Sequence, residues 1–510
     1  MSPAIDTLPV ELLVEIFRTH IRQEDIIALD HYNHRPPWMC WYSPLFVCRR
    51  WYQIMIETPR MWDLIDLSST PNCVKVMLSR SQNVPLRVQP TSFKPGNPLR
   101  EYGIGKESLT AIFEQSHRIR DLQISVTETV VEVLASFRSQ PLILPIVSTL
   151  TVHNEISPLL IFPFALSLDR VTLRSLWISG YPFEQVQTLL VPTIQNVALR
   201  LPYDDDVDAR TVLSKPSTVL KALSALLLLE NAEVKGWLYN EGGTSHSPQR
   251  LSFPNLQTLT LHLFFPNFDF LNCISCPKRK HICLTTQCGN LDKTILLPLL
   301  ESLFPTPGRL LDSSGGVICA LKINIQSEGW SFKVTYWDTP TRHEDFFHDS
   351  TASITIPCLE LDVEFDDYIY IIEACEEVIR HIVPSDIQTL ALSYAPSSEG
   401  ILPILMQTLS QLTNLQTLVT REWSDEHLAE ALSFIPETTP SPSDTVRQVI
   451  FPKLQDVLVL RPFYPNVFRE SAYNPYMQSH DRERLRKMME LRKLCGSPSL
   501  RFHTWKKEQN

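Results

Sequence analysis

Near the N-terminus, apolar residues follow a helical spacing. Leu8, Leu12 and Ile16 recur every fourth residue, and charged residues fall on the opposite side of the same turns. A second helical run covers residues 45–56 and ends before a Thr-Pro pair. The pattern therefore predicts a short all-helical segment over residues 1–67.

From about residue 84 onwards, a strand-like template recurs in the order apolar-x-x-apolar-x-apolar. Its last two positions alternate, as on a strand with one buried face. The ten copies are Ile119, Leu122, Ile124; Val147, Leu150, Val152; Leu173, Leu176, Ile178; Ile194, Val197, Leu199; Leu256, Leu259, Leu261; Ile318, Leu321, Ile323; Ile356, Leu359, Leu361; Ile387, Leu390, Leu392; Leu415, Leu418, Thr420; and Leu454, Val457, Val459.

The spacing of these copies is typical of a repeat protein. Their central residues lie 28, 26, 21, 62, 62, 38, 31, 28 and 39 apart, and several of these values are near the roughly 20–29 residues of a leucine-rich repeat. Each interval of 62 has room for a degenerate copy or an insertion. The Asn or Cys that follows the strand in many such repeats is missing, which predicts irregular turns.

Strands that alternate with amphipathic stretches predict an α/β chain built as a curved solenoid, with a parallel sheet on its concave side. The alternative is an ordinary α/β domain in which this short pattern recurs by chance. The predicted organisation is a helical domain at 1–67, a connection and first irregular repeat at 68–117, the solenoid at 118–479, and a basic capping helix with the last strand at 480–510.

Composition narrows the function classes. The chain has 510 residues, of which 44% are apolar and 20% charged, so it can bury large cores. Its net charge of −10 argues against a nucleic-acid or anionic-membrane binder. With only 14 glycines against 39 prolines, chemistry on glycine-rich phosphate loops is not expected.

The sequence also predicts the compartment. The first residues lack the basic region of a signal peptide, and no window approaches the roughly 18 uninterrupted apolar residues of a membrane span. The eleven cysteines are irregularly spaced and do not form a disulfide framework. We therefore expect a soluble protein of the cytoplasm or nucleus, neither secreted nor transmembrane.

The N-terminal helices carry more apolar surface than they can cover by themselves. A unit of about 60 residues buries too little surface for one core to stand alone, and each large apolar side chain gains on the order of 1.5–3 kcal/mol from full burial. The segment thus needs a further surface. The residues alone leave open whether the rest of this chain or another protein supplies it.

The stretches LPVELLVEIF and FVCRRWYQIMIETPRMW, in that order, resemble an F-box. The family pattern has a Leu-Pro that opens a helix, an acidic residue and leucines behind it, then Val-Cys-Arg-x-Trp and a closing Met-Trp. The matching residues are Leu8, Pro9, Glu11, Leu12, Ile16, Phe17, Val47, Cys48, Arg49, Trp51 and Trp62. The whole layout is similar to the F-box-like proteins abundant in mushroom-forming fungi, which join a degenerate F-box to irregular leucine-rich repeats.

This resemblance implies a non-catalytic substrate-recognition subunit of an SCF-type ubiquitin ligase. The F-box would dock on a Skp-type adaptor, which connects to cullin and RING subunits, and the repeats would hold a protein target. The implied adaptor contacts or supports are Leu8, Pro9, Leu12, Leu13, Ile16, Phe17, Val47, Cys48, Trp51 and Trp62. The competing interpretation is an interaction scaffold that does not promote ubiquitination, or a seam that packs internally and onto the repeats.

One departure from the F-box pattern bears on adaptor affinity. Family members have a short Asp-Leu-Leu helix between the two matching stretches. Here the region between Asp25 and Ser43 is long and contains Trp38, Trp41 and two prolines.

One cysteine cluster has metal-like spacing. Cys273, Cys276, Cys283 and Cys288, with His281 among them, offer four thiolates of the kind that zinc prefers. The second pair lacks the C-x2-C spacing, so the segment is interpreted as an insertion loop with reduced thiols. No metal or other cofactor is therefore expected, and a zinc site is the alternative.

No further motif indicates catalysis or a cofactor. The acidic runs 204–206 and 366–367 have the wrong spacing for calcium and are interpreted as solvated loops. Residues 481–494 form a basic helix, predicted to cap the solenoid, with Leu485, Met488, Met489 and Leu491 on its apolar face.

Overall fold

The computed structural model describes most of the repeats and parts of both ends of the chain. The described residues are 8–19, 43–67, 69–90, 105–137, 142–156, 161–166, 172–202, 216–236, 251–263, 274–277, 281–287, 300–301, 320–326, 331–337, 359–364, 368–394, 401–421, 431–432, 450–460, 486–487, 489–490, 492–494 and 497–505. The acidic runs at 204–206 and 366–367 lie outside them.

Helices and strands alternate along the described chain. The helices are α1 (10–19), α2 (Arg49–Glu57), α3 (Pro71–Arg80), α4 (Lys106–Phe113), α5 (Glu128–Ser136), α6 (Phe183–Val186), α7 (Pro216–Ser224), α8 (Tyr368–His381) and α9 (Ile401–Leu409). Short 3-10 helices lie at Ser43–Phe46, Pro59–Trp62, Ser116–Arg118, Gln187–Leu189 and Pro384–Asp386.

The strands are β1 (Leu64–Asp66), β2 (Leu86–Gln89), β3 (Ile119–Val126), β4 (Leu142–Leu144), β5 (Thr149–Asn154), β6 (Phe164–Leu166), β7 (Ser175–Ser179), β8 (Asn196–Arg200), β9 (Asn231–Lys235), β10 (Leu251–Ser252), β11 (Thr258–Leu263), β12 (Ile274–Ser275), β13 (His281–Gln287), β14 (Ala320–Gln326), β15 (Ser331–Trp337), β16 (Leu359–Glu364), β17 (Thr389–Tyr394), β18 (Thr417–Arg421), β19 (Asp456–Leu460) and β20 (Arg501–Trp505). Every template copy contributes residues to one of these strands. The chain is therefore α/β with a large parallel sheet, as the sequence predicts.

The chain divides into two compact units, which are described separately. Unit 1 comprises Met1–Ser214 with Ala225–Leu229, and unit 2 comprises Lys215–Ser224 with Glu230–Asn510. The boundary falls inside the range 118–479 that the template assigns to one solenoid.

Unit 1 contains a parallel sheet whose strands follow one another in the order β1-β2-β3-β5-β7-β8. Equivalent template positions stand side by side: Leu122 is paired with Leu150, Leu150 with Leu176, and Leu176 with Val197. All four are at most 3% exposed. One face of the sheet is thus a continuous apolar layer, and burial of each side chain contributes on the order of 1.5–3 kcal/mol.

The sheet of unit 1 begins earlier than the template indicates. β1 lies inside the range 1–67 assigned to the helical domain, and β2 lies inside the connection 68–117. Both strands have residues buried on the core face, Ile65 at 0% and Val88 at 1% exposed. They are too short, at three and four residues, to carry the full template.

A buried arginine fixes the turn between α3 and β2. Arg118 is 8% exposed, and its guanidinium donates hydrogen bonds to the Val84 carbonyl oxygen at 3.0 Å and to the Ser81 hydroxyl at 2.9 Å. These bonds join Arg118, which precedes β3, to that turn, where the Ser81 hydroxyl also donates to the Leu78 carbonyl oxygen at 3.0 Å. Burial lowers the pKa of Arg118 from its ordinary value.

An asparagine joins neighbouring repeats of unit 1. The Asn154 amide, 8% exposed, donates to the Gly180 carbonyl oxygen at 3.0 Å, and its side-chain oxygen accepts from the Ile156 backbone at 3.2 Å. Gly180 has φ +80°, and a Cβ there would lie 2.9 Å from the Asn154 carbonyl oxygen. Asn154 is the last residue of β5, so it connects the end of this strand to the turn that follows β7.

In unit 2 the strand order is β9-β11-β13-β16-β15-β14-β17-β18-β19-β20. β9 and β13 fall within the two intervals of 62 residues, so each interval does contain a strand. β15 runs antiparallel to both of its neighbours. Across the sheet, β16, β15 and β14 stand in the reverse of their order along the chain. The prediction of a uniformly parallel sheet is wrong at this point, because β14, β15 and β16 pair as antiparallel neighbours where the template predicts parallel ones.

Part of the sheet of unit 2 is buried on both faces. Leu390 and Leu418 form the expected core, while Trp337, Ala391, Val419 and Leu458 form a second buried cluster. Residues next to each other along a strand point to opposite faces. The sheet face opposite the template core is therefore buried at Ala391, Val419 and Leu458, whereas Thr389 and Asp456 on the same face are half-buried.

The C-terminal helix differs from its predicted amphipathic pattern. Arg492, assigned by the pattern to the polar side, is 1% exposed and donates to the carbonyl oxygens of Ile450 at 2.7 Å and Phe451 at 2.8 Å. Met489, assigned to the apolar face, is 40% exposed. The side chains of Leu485, Met488 and Leu491 lie outside the described residues. Backbone carbonyls that need donors thus outweigh apolar periodicity at Arg492.

In the described part of the chain, no helix has the length and apolar composition needed to cross a bilayer.

Replacing Gly180 by alanine is expected to lower the free energy of unfolding by at least about 2 kcal/mol, because the left-handed backbone and the Asn154 contact both oppose a Cβ. Urea unfolding followed by intrinsic fluorescence measures the change. Gly105→Ala is the matched control: the nearest atoms to its new Cβ lie 3.7 Å away, so its effect stays within about 1 kcal/mol. Equal losses in the two variants would contradict this account.

Candidate functional site

Helix α1 has a buried apolar side and an exposed apolar side. Leu13 and Phe17 are 0% and 1% exposed, whereas Leu12 and Ile16 are 52% and 45% exposed. Each pair is four residues apart, so each forms a ridge along one side of the helix. The helix therefore uses one ridge for packing and presents the other to solvent.

A second group of exposed apolar residues surrounds the start of α2. Phe46 is 82% and Val47 58% exposed, and Tyr52 on α2 is 51% exposed. The 3-10 helix Ser43–Phe46 sets this turn, with Pro44 buried and its carbonyl oxygen accepting from the Val47 amide at 3.4 Å. The exposed apolar residues of α1, this turn and α2 are named here the N-terminal patch: Val10, Leu12, Ile16, Phe46, Val47 and Tyr52.

Two contacts hold α1 against α2. The Arg50 guanidinium donates to the Leu8 carbonyl oxygen at 2.6 Å. The rings of Phe17 and Trp51 are tilted at 55° with their centroids 4.6 Å apart, a geometry that is favourable for aromatic pairs. The exposed residues of α1 and α2 therefore lie on two helices that are packed against each other.

Trp62 supports this pair from behind. It is 5% exposed, and its indole N–H donates to the Met55 carbonyl oxygen of α2 at 2.8 Å. The Arg80 guanidinium of α3 lies 4.4 Å from the centroid of the Trp62 ring, in a cation–π contact. Trp62 therefore connects α2 to the first helix of the repeats.

A buried carboxylate joins the helices to the sheet. Asp63 is 4% exposed; its carboxylate accepts from the Arg87 guanidinium of β2 at 2.8 Å, and the Arg18 guanidinium of α1 lies 4.0 Å away. The Arg87 amide also donates to the Asp63 carbonyl oxygen at 2.7 Å. Removing one partner of such a buried pair leaves an uncompensated charge, so the junction resists separation.

The structure sorts the residues implied by the F-box resemblance into three groups. Buried residues, which support the helices, are Leu13, Phe17 and Trp62. Leu8 and Trp51 are half-buried, and the exposed residues are Pro9, Leu12, Ile16, Val47 and Cys48. The ten residues therefore divide by exposure into buried, half-buried and exposed side chains, a division that the motif alone does not specify.

Sequence reasoning missed three members of the N-terminal patch: Val10, Phe46 and Tyr52. Tyr52 lies on α2, where the structure places Ile54 and Met55 in the core. Phe46 follows a Ser-Pro turn, which is the one signal that separates it from the helix.

The cysteine cluster is only partly described. Cys276 is buried, and Cys283 lies half-buried on β13, while Cys273 and Cys288 fall outside the described residues. Among the described residues, no group of three or more His, Cys, Asp or Glu side chains could hold a metal ion. The described residues therefore do not test the zinc alternative to the predicted insertion loop.

No model of a known protein family matches the chain, and no curated protein matches it either. The functional interpretation therefore depends on the N-terminal patch and on the residues that hold it.

Cys48 is expected to react with iodoacetamide at least about tenfold faster than Cys375 in the folded chain. Cys48 is exposed at the start of α2, whereas Cys375 on α8 is 1% exposed, and burial, with a smaller effect of Glu376, raises the pKa of its thiol. Peptide-level mass spectrometry over a time course measures both rates. In urea the two rates should converge; convergence without urea would contradict the described burial.

Proposed function

We propose that this chain is the substrate-recognition subunit of an SCF-type ubiquitin ligase. Its N-terminal segment acts as an F-box and docks on a Skp-type adaptor, which links it to cullin and RING subunits. The single observation that carries this proposal is the N-terminal patch, because Leu12, Ile16 and Val47 are exposed at positions that the F-box pattern also contains.

The exposure of the patch supports an interface. Its six side chains are between 44% and 82% exposed, and a concentration of exposed apolar side chains in one segment supports a protein-binding site. Covering a half-exposed side chain contributes about 1 kcal/mol, roughly half the value for full burial. A partner that covers the patch would therefore gain several times that amount from apolar burial alone.

The repeats support the second half of the proposal. Equivalent apolar positions of β3, β5, β7 and β8 stand in register, which is the arrangement expected of irregular leucine-rich repeats stacked as a horseshoe solenoid. The β14–β16 meander interrupts this pattern in unit 2. A repeat array offers an extended surface for a protein target.

The proposed role requires no catalytic residue in this chain. A receptor accelerates transfer of ubiquitin by holding a target lysine near the charged enzyme, which raises its effective concentration. The buried junction at Asp63 suits this role, because it connects the adaptor-binding helices to β1 and β2 without an intervening linker among the described residues.

Ile16→Asp is expected to weaken binding to a Skp-type adaptor at least about 100-fold, because it would bury an unpaired charge in the interface. Ile16 is solvent-exposed in the chain by itself, so the thermal unfolding midpoint should not fall. Val76→Asp on α3 is the matched control, since Ile16 and Val76 are both 45% exposed. Co-purification and isothermal titration with the adaptor test the prediction.

If wild type and both variants bind the adaptor equally, or none binds, the F-box assignment is wrong. The adaptor should also protect Cys48 from iodoacetamide. A reconstituted reaction with cullin and RING subunits then separates a ligase receptor from a scaffold, since a scaffold binds the adaptor without promoting transfer of ubiquitin.

A further inference from the structure

Phe451 in unit 2 has a backbone conformation that is unusual for its side chain. Among the described non-glycine residues, only Gln82 and Phe451 have a positive φ, and that of Phe451 is 51°. A bulky residue is strained in this left-handed region, and the proline that follows, Pro452, restricts the backbone of Phe451 further. Strain of this kind persists only where the surrounding structure holds it in place.

A second copy of the same local sequence lacks this conformation. Residues 253–257 and 451–455 both read Phe-Pro-x-Leu-Gln. In both, the leucine amide donates to the phenylalanine carbonyl oxygen, at 3.4 Å in the first copy and 3.0 Å in the second. Both phenylalanine side chains are buried, but Phe253 does not have a positive φ. The local sequence therefore does not impose the left-handed conformation, and a tertiary contact has to maintain it at Phe451.

Arg492 supplies that contact from the C-terminal part of the chain. Its guanidinium donates to the carbonyl oxygens of Ile450 and Phe451, at 2.7 and 2.8 Å, which lie on the two sides of the strained residue. Because the guanidinium is planar and rigid, its donors fix these two oxygens relative to each other. Residues 450–454 are named here the Phe451 turn, and Arg492 holds this turn in its strained form.

The other left-handed residue, Gln82 in unit 1, is also next to a buried arginine. Arg118 donates to the Ser81 hydroxyl and to the Val84 carbonyl oxygen, on either side of Gln82. Gln82 is exposed and directly follows the end of helix α3, where left-handed residues are common, so its strain is smaller. Both left-handed turns are thus bound by a buried guanidinium.

The segment that carries Arg492 is attached to unit 2 mainly by hydrogen bonds. Its described residues between 486 and 505 are named here the C-terminal strap. Among the strap residues whose exposure is described, Arg492 and Leu500 are buried, and the others are half-buried or exposed. Among the described strands, β20 of the strap pairs only with β19, and the Arg501 amide donates to the Gln455 carbonyl oxygen at 2.7 Å. A segment with so few buried apolar contacts opens more easily than the core.

We infer that the C-terminal strap opens as a unit while the rest of unit 2 stays folded, and that Arg492 couples this opening to relaxation of the Phe451 turn. In the closed state, Arg492 holds the turn and β20 covers the edge of β19. In the open state, Phe451 returns to a negative φ, and β19 becomes the end strand of the sheet with an unpaired edge. Relief of strain favours opening and the hydrogen bonds of Arg492 oppose it, so one side chain sets the balance between two states.

Residue-resolved hydrogen–deuterium exchange of the full chain, measured by mass spectrometry, tests this inference. The chain is used without adaptor, so the result is independent of the proposed function. The Arg501 and Thr417 amides occupy equivalent positions, because they donate to the Gln455 and Gln388 carbonyl oxygens that precede the neighbouring strands. In the wild type, the Arg501 amide should exchange at least about tenfold faster than the Thr417 amide.

Arg492→Gln removes the planar set of donors that holds the turn. It should accelerate exchange of the Arg501 amide and of the Leu454 amide, which lies in the Phe451 turn, at least about tenfold each, and leave the Thr417 amide within about twofold. Arg501→Gln is the matched control, because it changes another arginine of the strap, which is 63% exposed in its ion pair with Asp456. Since exposed ion pairs contribute little, it should change exchange of the Leu454 amide less than about twofold.

A pair of proline substitutions tests the strain without changing the arginine. Pro452→Ala and Pro254→Ala replace the proline at the same place in the two copies of the local sequence, and both give the open turn more backbone freedom. Pro452→Ala also removes the restriction on the left-handed backbone of Phe451. It should therefore accelerate exchange of the Leu454 amide at least about threefold less than Pro254→Ala accelerates exchange of the Leu256 amide. This comparison decides the question of strain if the arginine variant fails to fold.

Three results would overturn the inference. Equal exchange of the Arg501 and Thr417 amides in the wild type would mean that the strap does not open separately. In Arg492→Gln, faster exchange of the Arg501 amide without faster exchange of the Leu454 amide would mean that β20 frays independently of the turn. Equal acceleration by the two proline substitutions would mean that Phe451 is not strained.

Discussion

The rest of this structure depends on one constraint: the apolar residues of neighbouring strands must be paired in register so that they are buried on the same face of the sheet. Because side chains on a strand alternate, a slip of one residue between neighbouring strands would move apolar residues to the wrong face. In unit 1 the pairs Leu150–Leu176 and Leu176–Val197 prevent such a slip, and in unit 2 the pairs Leu390–Leu418 and Leu418–Val457 do the same. Helices, turns and the outward face take their positions from this layer.

The N-terminal helices attach to this layer through polar and aromatic contacts as well as through buried apolar side chains, among them Leu13, Met55 and Met61. Asp63 connects them to β2 through Arg87, and Trp62 connects them to α3 through Arg80. Since these contacts use the buried sides of the helices, the opposite side stays exposed. The N-terminal patch is therefore a consequence of how the segment is anchored, and under the proposed function it is the surface left for the adaptor.

The same strand periodicity leads to different outward faces in the two units. Positions such as Thr151 and Ser179 leave the unit 1 face polar, whereas Val419 and Leu458 make the unit 2 face apolar. A parallel sheet that is apolar on both faces is buried on both faces. The residue types at the outward positions, not the template, thus decide how deeply each of these positions is buried.

Local periodicity determined much of this structure in advance: the α/β class, the ten template strands, with a buried face on those whose burial the structure describes, and the helices around the motif that resembles an F-box. It could not determine which strands become neighbours, so the reversed order of β14, β15 and β16 was decided only in the tertiary structure, where non-local pairing competes with sequential stacking. It could not identify β9 either, because the small residue Ala232 occupies the central template position of that strand. It also could not predict the burial of Arg118 and Arg492. An arginine in a sequence has the character of a surface residue, and only the folded chain brings it to the backbone carbonyls that need its donors.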